Sequence, residues 1–324
     1  MSVLPTVSFI VPVRNDAFRL DQCLRSIHAN GYPPQLLEVV VADNGSTDDS
    51  ASVARTHGAT VLNLPALRLG ALRNSAVASS KGDILAFVDA DHVIVSDWVS
   101  SAVDVLADTH VAAVGAAYRP PTPATWVQRL YDKLRRHSAG QHSVEWLGSG
   151  NMAVRRSAFD AVGGFDTTLE TCEDVDLCRK LRGLGQVLIT DSRLHNVHYG
   201  DPRTLRHVFF GELWRGRDNI RVSLRPPRGW RTVVSAAVPI FNLLAMAVCL
   251  GGVLWFSRQS LTVASLAGVS LLAVVGLRAL RMLRAASPSD VFRAIAVAAS
   301  YEFGRAFALV ARFGHGWRRK GATE

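Results

Sequence analysis

The segment Gly82-Asp83-Ile84-Leu85-Ala86-Phe87-Val88-Asp89-Ala90-Asp91 contains an uninterrupted apolar run and ends in two carboxylates one residue apart. The run 84–88 is typical of a strand that is buried on both faces of a parallel sheet. Unpaired charges are too costly to keep at the end of so deep a strand. A hard divalent cation that also bridges phosphate oxygens would satisfy Asp89 and Asp91. Asp-x-Asp is also common in ordinary turns, so the rest of the sequence has to separate the two interpretations.

Strand and helix signals alternate from residue 1 to about residue 225. The predicted strands are 7–12, 37–42, 60–64 and 84–88, and the predicted helices are 18–28, 48–57, 68–79 and 98–107. This order predicts an α/β domain with an open, mostly parallel sheet. Such sheets bind ligands beyond the carboxyl ends of their strands. The clusters Arg14-Asn15-Asp16, Asp43-Asn44-Gly45-Ser46 and Asp89-Ala90-Asp91 all follow predicted strands, which indicates a shared site.

Two uncharged runs, 232–256 and 261–277, predict a transmembrane helical hairpin after this domain. Arginines flank the pair on both sides, at 225, 228 and 231 before it and at 278, 281 and 284 after it. The positive-inside rule therefore predicts that both termini are cytoplasmic. Two buried helices of a soluble domain are the alternative, which the length of the runs and the arginines disfavour.

A third apolar segment, 291–310, is interrupted by Arg293, Glu302 and Arg305. On a helical wheel its larger apolar residues share one side: Phe292, Ile295, Ala299, Phe303, Ala306 and Val310. We expect an amphipathic helix that lies in the membrane interface with its charges on the remaining sides. The predicted domains are 1–225 (catalytic), 226–285 (two transmembrane helices) and 286–324 (interfacial helix and basic tail).

The formal net charge of +9 is unevenly distributed, because arginines dominate after Asp218. A basic stripe could serve nucleic acid, anionic lipid or a diphosphate. Its position beside apolar spans excludes nucleic acid as the expected partner. Four scattered cysteines without a CxxC motif match no zinc site and favour a reduced compartment. The N-terminus has no basic region or cleavage site, so no signal peptide is expected.

Two further carboxylate positions are candidates for chemistry. Asp43, at the end of the second predicted strand, can accept the imide N–H of a uracil or the hydroxyls of a ribose, or it can simply order the turn. Glu173 and Asp174 are adjacent acids, which repel each other unless one meets a metal, a cation or a substrate proton. A carboxylate near an acceptor hydroxyl is a natural general base. Asp176 has a plainer explanation as a helix-capping residue.

The motifs, taken together and in order, resemble family 2 glycosyltransferases with the GT-A fold. The resemblance covers about residues 6–220. It rests on the following motifs: Val11-Pro12-Val13-Arg14-Asn15, Asp43-Asn44-Gly45-Ser46-Thr47-Asp48, Ala71-Leu72-Arg73-Asn74, Asp89-Ala90-Asp91, Gly148-Ser149-Gly150-Asn151, Gly163-Gly164-Phe165-Asp166 and Glu173-Asp174-Val175-Asp176-Leu177.

The resemblance implies a GT-A catalytic domain with a Rossmann-like sheet, and inverting transfer of a sugar from a nucleotide donor. It assigns the nucleoside to Pro12, Arg14 and Asp43, and the diphosphate to the neighbourhood of Arg73. Asp89 and Asp91 would be the family's DxD motif, which binds the nucleotide through Mg²⁺ or Mn²⁺. Asp174, with Glu173 beside it, would be the catalytic base, and Asn151 would line the sugar and acceptor pocket.

Three residues beyond these motifs are weaker candidates. His198 follows a predicted strand and could be a third metal ligand or a donor to phosphate, although a lone histidine is more often structural. Arg215 and Arg217 stand roughly where processive relatives carry QxxRW, but the match is poor. They could pair with a diphosphate, or they could be membrane-surface charge.

The sequence thus predicts a membrane-anchored glycosyltransferase whose catalytic domain lies on the cytoplasmic face of the plasma membrane. We expect a UDP-sugar as the donor. The expected acceptor is a lipid-linked or cell-envelope glycan, and a polyprenyl-diphosphate-linked oligosaccharide is the favoured form. A polyprenyl-phosphate sugar synthase is the nearest alternative, but a phosphate nucleophile needs no base. A processive synthase lacks its QxxRW motif, and a sugar nucleotidyltransferase lacks its glycine-rich loop. A catalytically silent membrane scaffold is the alternative from another class, which the retained acidic residues disfavour.

Overall fold

The computed structural model describes residues 4–135, 139–226, 230–283 and 288–311. The chain forms two compact units, which we call the sheet unit (Met1–Pro121 and Arg136–Gly200) and the helical unit (Thr122–Arg135 and Asp201–Glu324). Residues 201–225, which the sequence analysis assigns to the first domain, thus cluster with the C-terminal helices. The domain boundaries at 225 and 285 stay a prediction.

The described residues of the sheet unit form ten strands. They are β1 (Val7–Val13), β2 (Leu37–Asp43), β3 (Thr60–Asn63), β4 (Ile84–Val88), β5 (His92–Ile94), β6 (Val111–Gly115), β7 (Gln141–Ser143), β8 (Asn151–Arg155), β9 (Val187–Asp191) and β10 (Asn196–His198). Eight of them form one sheet in the order β3-β2-β1-β4-β8-β6-β9-β7, and β5 pairs with β10 separately. Neighbours are parallel from β3 to β4 and between β6 and β9, whereas β8 and β7 run antiparallel to their neighbours. The sheet is therefore mixed, with most of its neighbouring strands parallel in the first half, as the alternation of strands and helices predicts.

Twelve α-helices accompany these strands in the described part of the chain. They are α1 (Ala17–His28), α2 (Ser50–Thr56), α3 (Leu69–Ala78), α4 (Trp98–Leu106), α5 (Trp126–Asp132), α6 (Arg156–Ala161), α7 (Glu173–Gly183), α8 (Leu205–Arg215), α9 (Asn219–Ser223), α10 (Trp230–Trp255), α11 (Arg258–Met282) and α12 (Pro288–Phe307). Of these, α5 and α8–α12 belong to the helical unit.

The core of the sheet unit lies on both faces of the large sheet. Alternate residues of β1 enter different clusters: Phe9 packs with Trp98 on one face, whereas Ile10 packs with Phe87 on the other. This alternation follows from the two-residue period of a strand. All five residues of β4 are buried, as the apolar run predicts. The central strand is therefore a rigid base for the carboxylates that follow it.

In the described part of the helical unit, two helices are long and apolar enough to cross a membrane. The most apolar stretches of Thr232–Trp255 and Arg258–Met282 have mean hydropathies of 2.3 and 2.1, and only 22% and 6% of these stretches are buried. Such exposed apolar faces are not expected of core helices in a soluble protein. They agree with a membrane-associated hairpin.

Helix α12 differs from the prediction at two residues. Ala306, which was expected on the apolar side that faces the membrane, is 0% exposed. Phe292 and Ile295 are exposed, as expected of a membrane-facing stripe. Glu302, however, was expected among the outward charges and is 1% exposed. It accepts a hydrogen bond from Asn242 Nδ2 at 2.9 Å and pairs with Arg278, because this side of α12 packs against α10 and α11. Arg228, Arg284, the side chain of Arg231 and the basic tail at 312–324 lie outside the described residues.

Candidate functional site

A candidate metal centre lies where β4 ends and the β5–β10 ladder begins. Asp91 lies between β4 and β5, and the antiparallel register places His198 opposite His92. Asp91 Oδ2 is 3.4 Å from His198 Nε2, and Asp91 Oδ1 is 3.7 Å from His92 Nε2. The ligand atoms of the three side chains all lie within 4.8 Å of one another. One carboxylate and two imidazoles at these separations fit a divalent cation.

Two glycines border this centre, and a side chain at either position would collide with its carboxylates. A Cβ built on Gly200 would lie 2.1 Å from Asp91 Oδ2 and 2.7 Å from His198 Nε2. A Cβ built on Gly150 would lie 2.9 Å from Asp89 Oδ2. The backbone therefore encloses the carboxylates closely and leaves no room for even an alanine at Gly200.

Arg73 connects the metal side of the site to the acidic pair on α7. Its Nη2 donates to Asp89 Oδ1 and its Nη1 donates to Glu173 Oε1, both at 2.7 Å. The guanidinium is 1% exposed. Arg73 was predicted to lie near a diphosphate, but its buried position makes it a residue that positions two carboxylates.

Glu173 and Asp174 begin α7, directly after Cys172, which adopts the left-handed conformation (φ 60°). Glu173 is buried, whereas Asp174 is half-buried and accepts a hydrogen bond from Val175 N at 2.8 Å. Burial, followed by the neighbouring charge of Asp174, raises the pKa of Glu173 to about 7, although Arg73 opposes the shift. Burial also raises the pKa of Asp174. The pair therefore retains a proton to higher pH than ordinary carboxylates do.

The predicted nucleoside residues follow β1 and β2, and one asparagine joins the two loops. Asn15 Oδ1 accepts a hydrogen bond from Thr47 N at 2.7 Å, and Asn15 N donates to Ser46 Oγ at 2.9 Å. Asp43 is buried and accepts from Ser46 N at 2.8 Å, so it orders this turn. Pro12 lies within β1 and Arg14 is exposed just beyond it. Contact of Pro12, Arg14 and Asp43 with a nucleoside stays a prediction.

Asn151 has a different environment from the predicted sugar and acceptor pocket. Its side chain is fully buried. Its Nδ2 donates to the carbonyl oxygens of Ala116 and Leu194, at 3.0 and 2.8 Å, and its Oδ1 accepts from Trp98 Nε1 at 2.7 Å. These bonds give Asn151 a structural role in the core.

The remaining predicted residues, Arg215 and Arg217, belong to the helical unit. Arg215 Nη1 donates to Glu212 Oε1 at 3.1 Å and to the hydroxyl of Tyr131 at 3.2 Å. Arg215 thus has protein partners within its own unit, and a contact with diphosphate stays a prediction for both arginines.

The sequence analysis missed three residues at the metal centre. They are His92, Tyr118, whose ring centroid lies 4.9 Å from that of His92 and 5.2 Å from that of His198, and Arg19, whose Nη1 lies 3.7 Å from Asp91 Oδ2. His92 directly follows Asp91, and this adjacency was an available signal. Arg19 and Tyr118 carry no local signal, because their elements meet the site only in the folded chain.

Comparison with known proteins identifies the family of this chain. Residues 8–163 match the family described as Glycosyl transferase family 2. Glycosyltransferase AglE of Haloferax volcanii is 30% identical over 73% of this chain and 80% of its own length. The pre-mycofactocin glycosyltransferase of Mycobacterium tuberculosis is 27% identical over 76% of this chain but only 53% of its own length. Succinoglycan biosynthesis protein ExoA of Rhizobium meliloti is 28% identical over 76% and 84% of the two chains.

Solved structures show the same fold. The mannosyltransferase PcManGT of Pyrobaculum calidifontis, in complex with GDP-Man and Mn²⁺, superposes with a TM-score of 0.61 at 22% identity, covering 93% of this chain and 88% of the other. GalNAc-T7 with UDP, GalNAc and Mn²⁺ superposes with a TM-score of 0.51 at 16% identity, covering 69% and 52%. The chain has the GT-A fold and belongs to glycosyltransferase family 2.

Proposed function

We propose that this enzyme transfers a sugar, with inversion and with the help of a divalent cation, from a nucleoside diphosphate sugar to a lipid-linked or cell-envelope glycan. The observation that carries the proposal is the Arg73 guanidinium, which bonds Asp89 beside the metal centre and Glu173 beside Asp174. This arrangement supports a cation site and a carboxylate base that act together at the same edge of the sheet.

Asp174 is the proposed base, since it is the more exposed member of the acidic pair. One of its carboxylate oxygens takes the proton of the acceptor hydroxyl. The hydroxyl oxygen then forms its bond to the anomeric carbon as the bond from that carbon to the nucleoside diphosphate breaks. Glu173 is buried against Arg73 and keeps the first turn of α7 in place. The raised pKa of Asp174 makes it a stronger proton acceptor than an exposed aspartate once it is ionised.

Asp91 and His198 are proposed to hold the cation, with Asp89 bordering it. When bound, Mg²⁺ or Mn²⁺ supplies positive charge that stabilises the nucleoside diphosphate leaving group. The buried donor set and the glycines around it support a cation here.

The donor class is supported by the solved neighbours, which hold GDP-Man or UDP together with Mn²⁺. The preference for uracil rests on Asp43 and stays a prediction. For the acceptor, the support is the pair of exposed apolar helices, α10 and α11, on the same chain as the catalytic unit. An anchor of this kind raises the effective concentration of a membrane-borne acceptor. We propose the plasma membrane, with the catalytic unit on its cytoplasmic side.

The test is a donor screen with the full chain in detergent. Release of nucleoside diphosphate is followed from UDP-, GDP- and dTDP-sugars, each with Mn²⁺, with Mg²⁺ and with chelator, and with a crude lipid extract as acceptor. Metal-dependent release from one donor, increased by the lipid, is expected. Release that survives chelation would contradict the role of the cation.

The same assay separates the alternatives. A polyprenyl-phosphate sugar synthase would use polyprenyl phosphate alone as acceptor and would not depend on Asp174. A silent scaffold would bind nucleotide in a metal-dependent manner but release nothing with any donor or lipid fraction.

A further inference from the structure

We propose that His92 is a direct ligand of the catalytic cation, together with Asp91 and His198, and that the site therefore selects Mn²⁺ over Mg²⁺. This inference rests on the proposed function, because it names the metal chemistry of the same site. It adds a ligand outside the DxD motif and gives the site two imidazoles, whereas oxygen ligands alone suit Mg²⁺.

The strand ladder fixes both imidazoles on the same side of Asp91. His92 and His198 are cross-strand partners in the β5–β10 pair, with ring centroids 4.4 Å apart. Each Nε2 faces a different oxygen of Asp91, at 3.7 Å for His92 and 3.4 Å for His198. Ligand atoms about 2 Å from one ion lie about 3–3.5 Å from each other. The two separations from Asp91 are close to this range, and all three ligand atoms lie within 4.8 Å of one another, so the three side chains have to move together to surround one cation.

The hydrogen bond to Asn196 supports a metal-binding form of His92. Asn196 Nδ2 lies 2.7 Å from His92 Nδ1, while its Oδ1 is buried without a partner among the described residues. The two ends of an amide have the same shape, so a half-turn lets Oδ1 accept a hydrogen bond from the Nδ1–H of His92. The half-turn gives up a 3.5 Å contact of Nδ2 with the carbonyl oxygen of Gly150 and moves the NH₂ group to the position that Oδ1 now occupies. The Nε2 of His92 then carries the lone pair that a metal requires.

The surroundings hold the His92 ring in one orientation. The side chain is 1% exposed. Its ring meets the Tyr118 ring edge-on, and a Cβ built on Gly150 would lie 3.1 Å from its Cε1. A buried ring that packs against both Tyr118 and His198 has little freedom to turn, so its nitrogen is pre-organised for binding.

Selectivity follows from the identity of these donors. Imidazole nitrogen binds borderline transition ions well, whereas Mg²⁺ demands oxygen ligands and releases its water reluctantly. We expect Mn²⁺ to bind at least ~10-fold more tightly than Mg²⁺. Replacement of His92 should remove most of that preference.

The test is electron spin-echo spectroscopy of Mn²⁺ bound to the full chain in detergent, with UDP or GDP present. Two imidazole nitrogens coupled to Mn²⁺ in the wild-type protein are expected, and one after His92→Ala. A wild-type spectrum with a single imidazole would overturn the inference and leave the proposed function intact. No Mn²⁺ binding at all would overturn both. The wild-type spectrum is informative whether or not the variant folds.

A titration supplies the second readout. Free Mn²⁺ is measured by its aqueous spin-resonance signal, with and without competing Mg²⁺, for the wild-type protein, His92→Gln and the control His110→Ala. His110 is exposed in the same unit, so His110→Ala should bind like the wild type. His92→Gln should weaken Mn²⁺ binding by ~10- to 100-fold with little change for Mg²⁺. An equal loss for both ions, or no loss, would contradict the selectivity.

Discussion

Asp89 and Glu173 are bonded to opposite nitrogens of one buried guanidinium, at 2.7 Å each. Arg73 thus joins the end of β4 to the first turn of α7. The donors of a guanidinium form a planar fork. An arginine that bonds one carboxylate through each terminal nitrogen therefore fixes the distance and the angle between the two carboxylates. In the proposed mechanism this bond keeps the cation site and the base at a constant separation.

Arg73→Lys should therefore lower the turnover number by at least ~10-fold, since lysine keeps the charge but lacks the planar fork that holds both carboxylates in a fixed geometry. Arg73→Met should also lower the melting temperature, because breaking a buried ion pair costs about 3–5 kcal/mol. Rates and melting curves in detergent check both. Arg55 is exposed on α2, so Arg55→Lys is the matched control. A wild-type rate for Arg73→Lys would contradict the positioning role.

The acidic pair predicts the pH dependence of transfer. Burial raises the pKa of Glu173 to about 7 and also raises that of Asp174, so the pair holds a proton below neutral pH. The rate should rise with pH over a range that lies above the pKa of an exposed aspartate, because the base must be ionised and burial raises the pKa of Asp174. A kcat/KM profile over pH measures where this rise lies. A rise at the pH of an ordinary exposed carboxylate would contradict the role of a buried Asp174 as the base.

Gly200→Ala should abolish cation binding without unfolding the sheet unit. The added methyl would lie 2.1 Å from Asp91 Oδ2, so the carboxylate or the strand end must move. Gly183→Ala is the control, because its Cβ would meet no atom within 4 Å. Mn²⁺ titration and melting curves of the two variants check the expectation. Undiminished Mn²⁺ affinity in Gly200→Ala would mean that Asp91 does not hold the ion.

Asn151→Ala should lower the stability of the fold and leave the chemistry of the site unchanged. The change leaves Trp98 Nε1 and two carbonyl oxygens in the core without their partner, at a cost of about 1–3 kcal/mol for each unsatisfied group. We expect a lower melting temperature and an unchanged KM for the donor in the fraction that remains folded. A raised KM with normal stability would instead support the predicted pocket role.

The helices and strands of the sheet unit were predicted well because buried segments consist of apolar residues at regular spacings. The apolar run 84–88 became β4 with the same limits. The second candidate span was predicted as 261–277, whereas α11 extends from Arg258 to Met282. The limits were set at charged residues, but arginines near helix ends can reach out of the apolar region while the backbone stays helical.

The candidate site was only partly predictable, because its parts meet through distant pairings. Asp91 and His198 were named from their own segments, whereas His92 gains its importance from the β5–β10 register. Arg73 was recognised as a motif residue, but its two partners depend on how α3 and α7 meet β4. Asn151 shows the converse, since a motif position became part of the core. Neither the pairing of strands that are far apart in the sequence nor the burial of a side chain between them can be derived from the local sequence pattern.

The most direct test of the account is Asp174→Asn, measured for donor binding by calorimetry and for sugar transfer in the same preparation. The amide keeps the shape that accepts the Val175 N–H but cannot take a proton from the acceptor. We expect unchanged affinity for the nucleotide sugar and a loss of transfer of about 10²- to 10⁴-fold. Transfer at the wild-type rate by a variant that still binds the donor would contradict the assignment of Asp174 as the base.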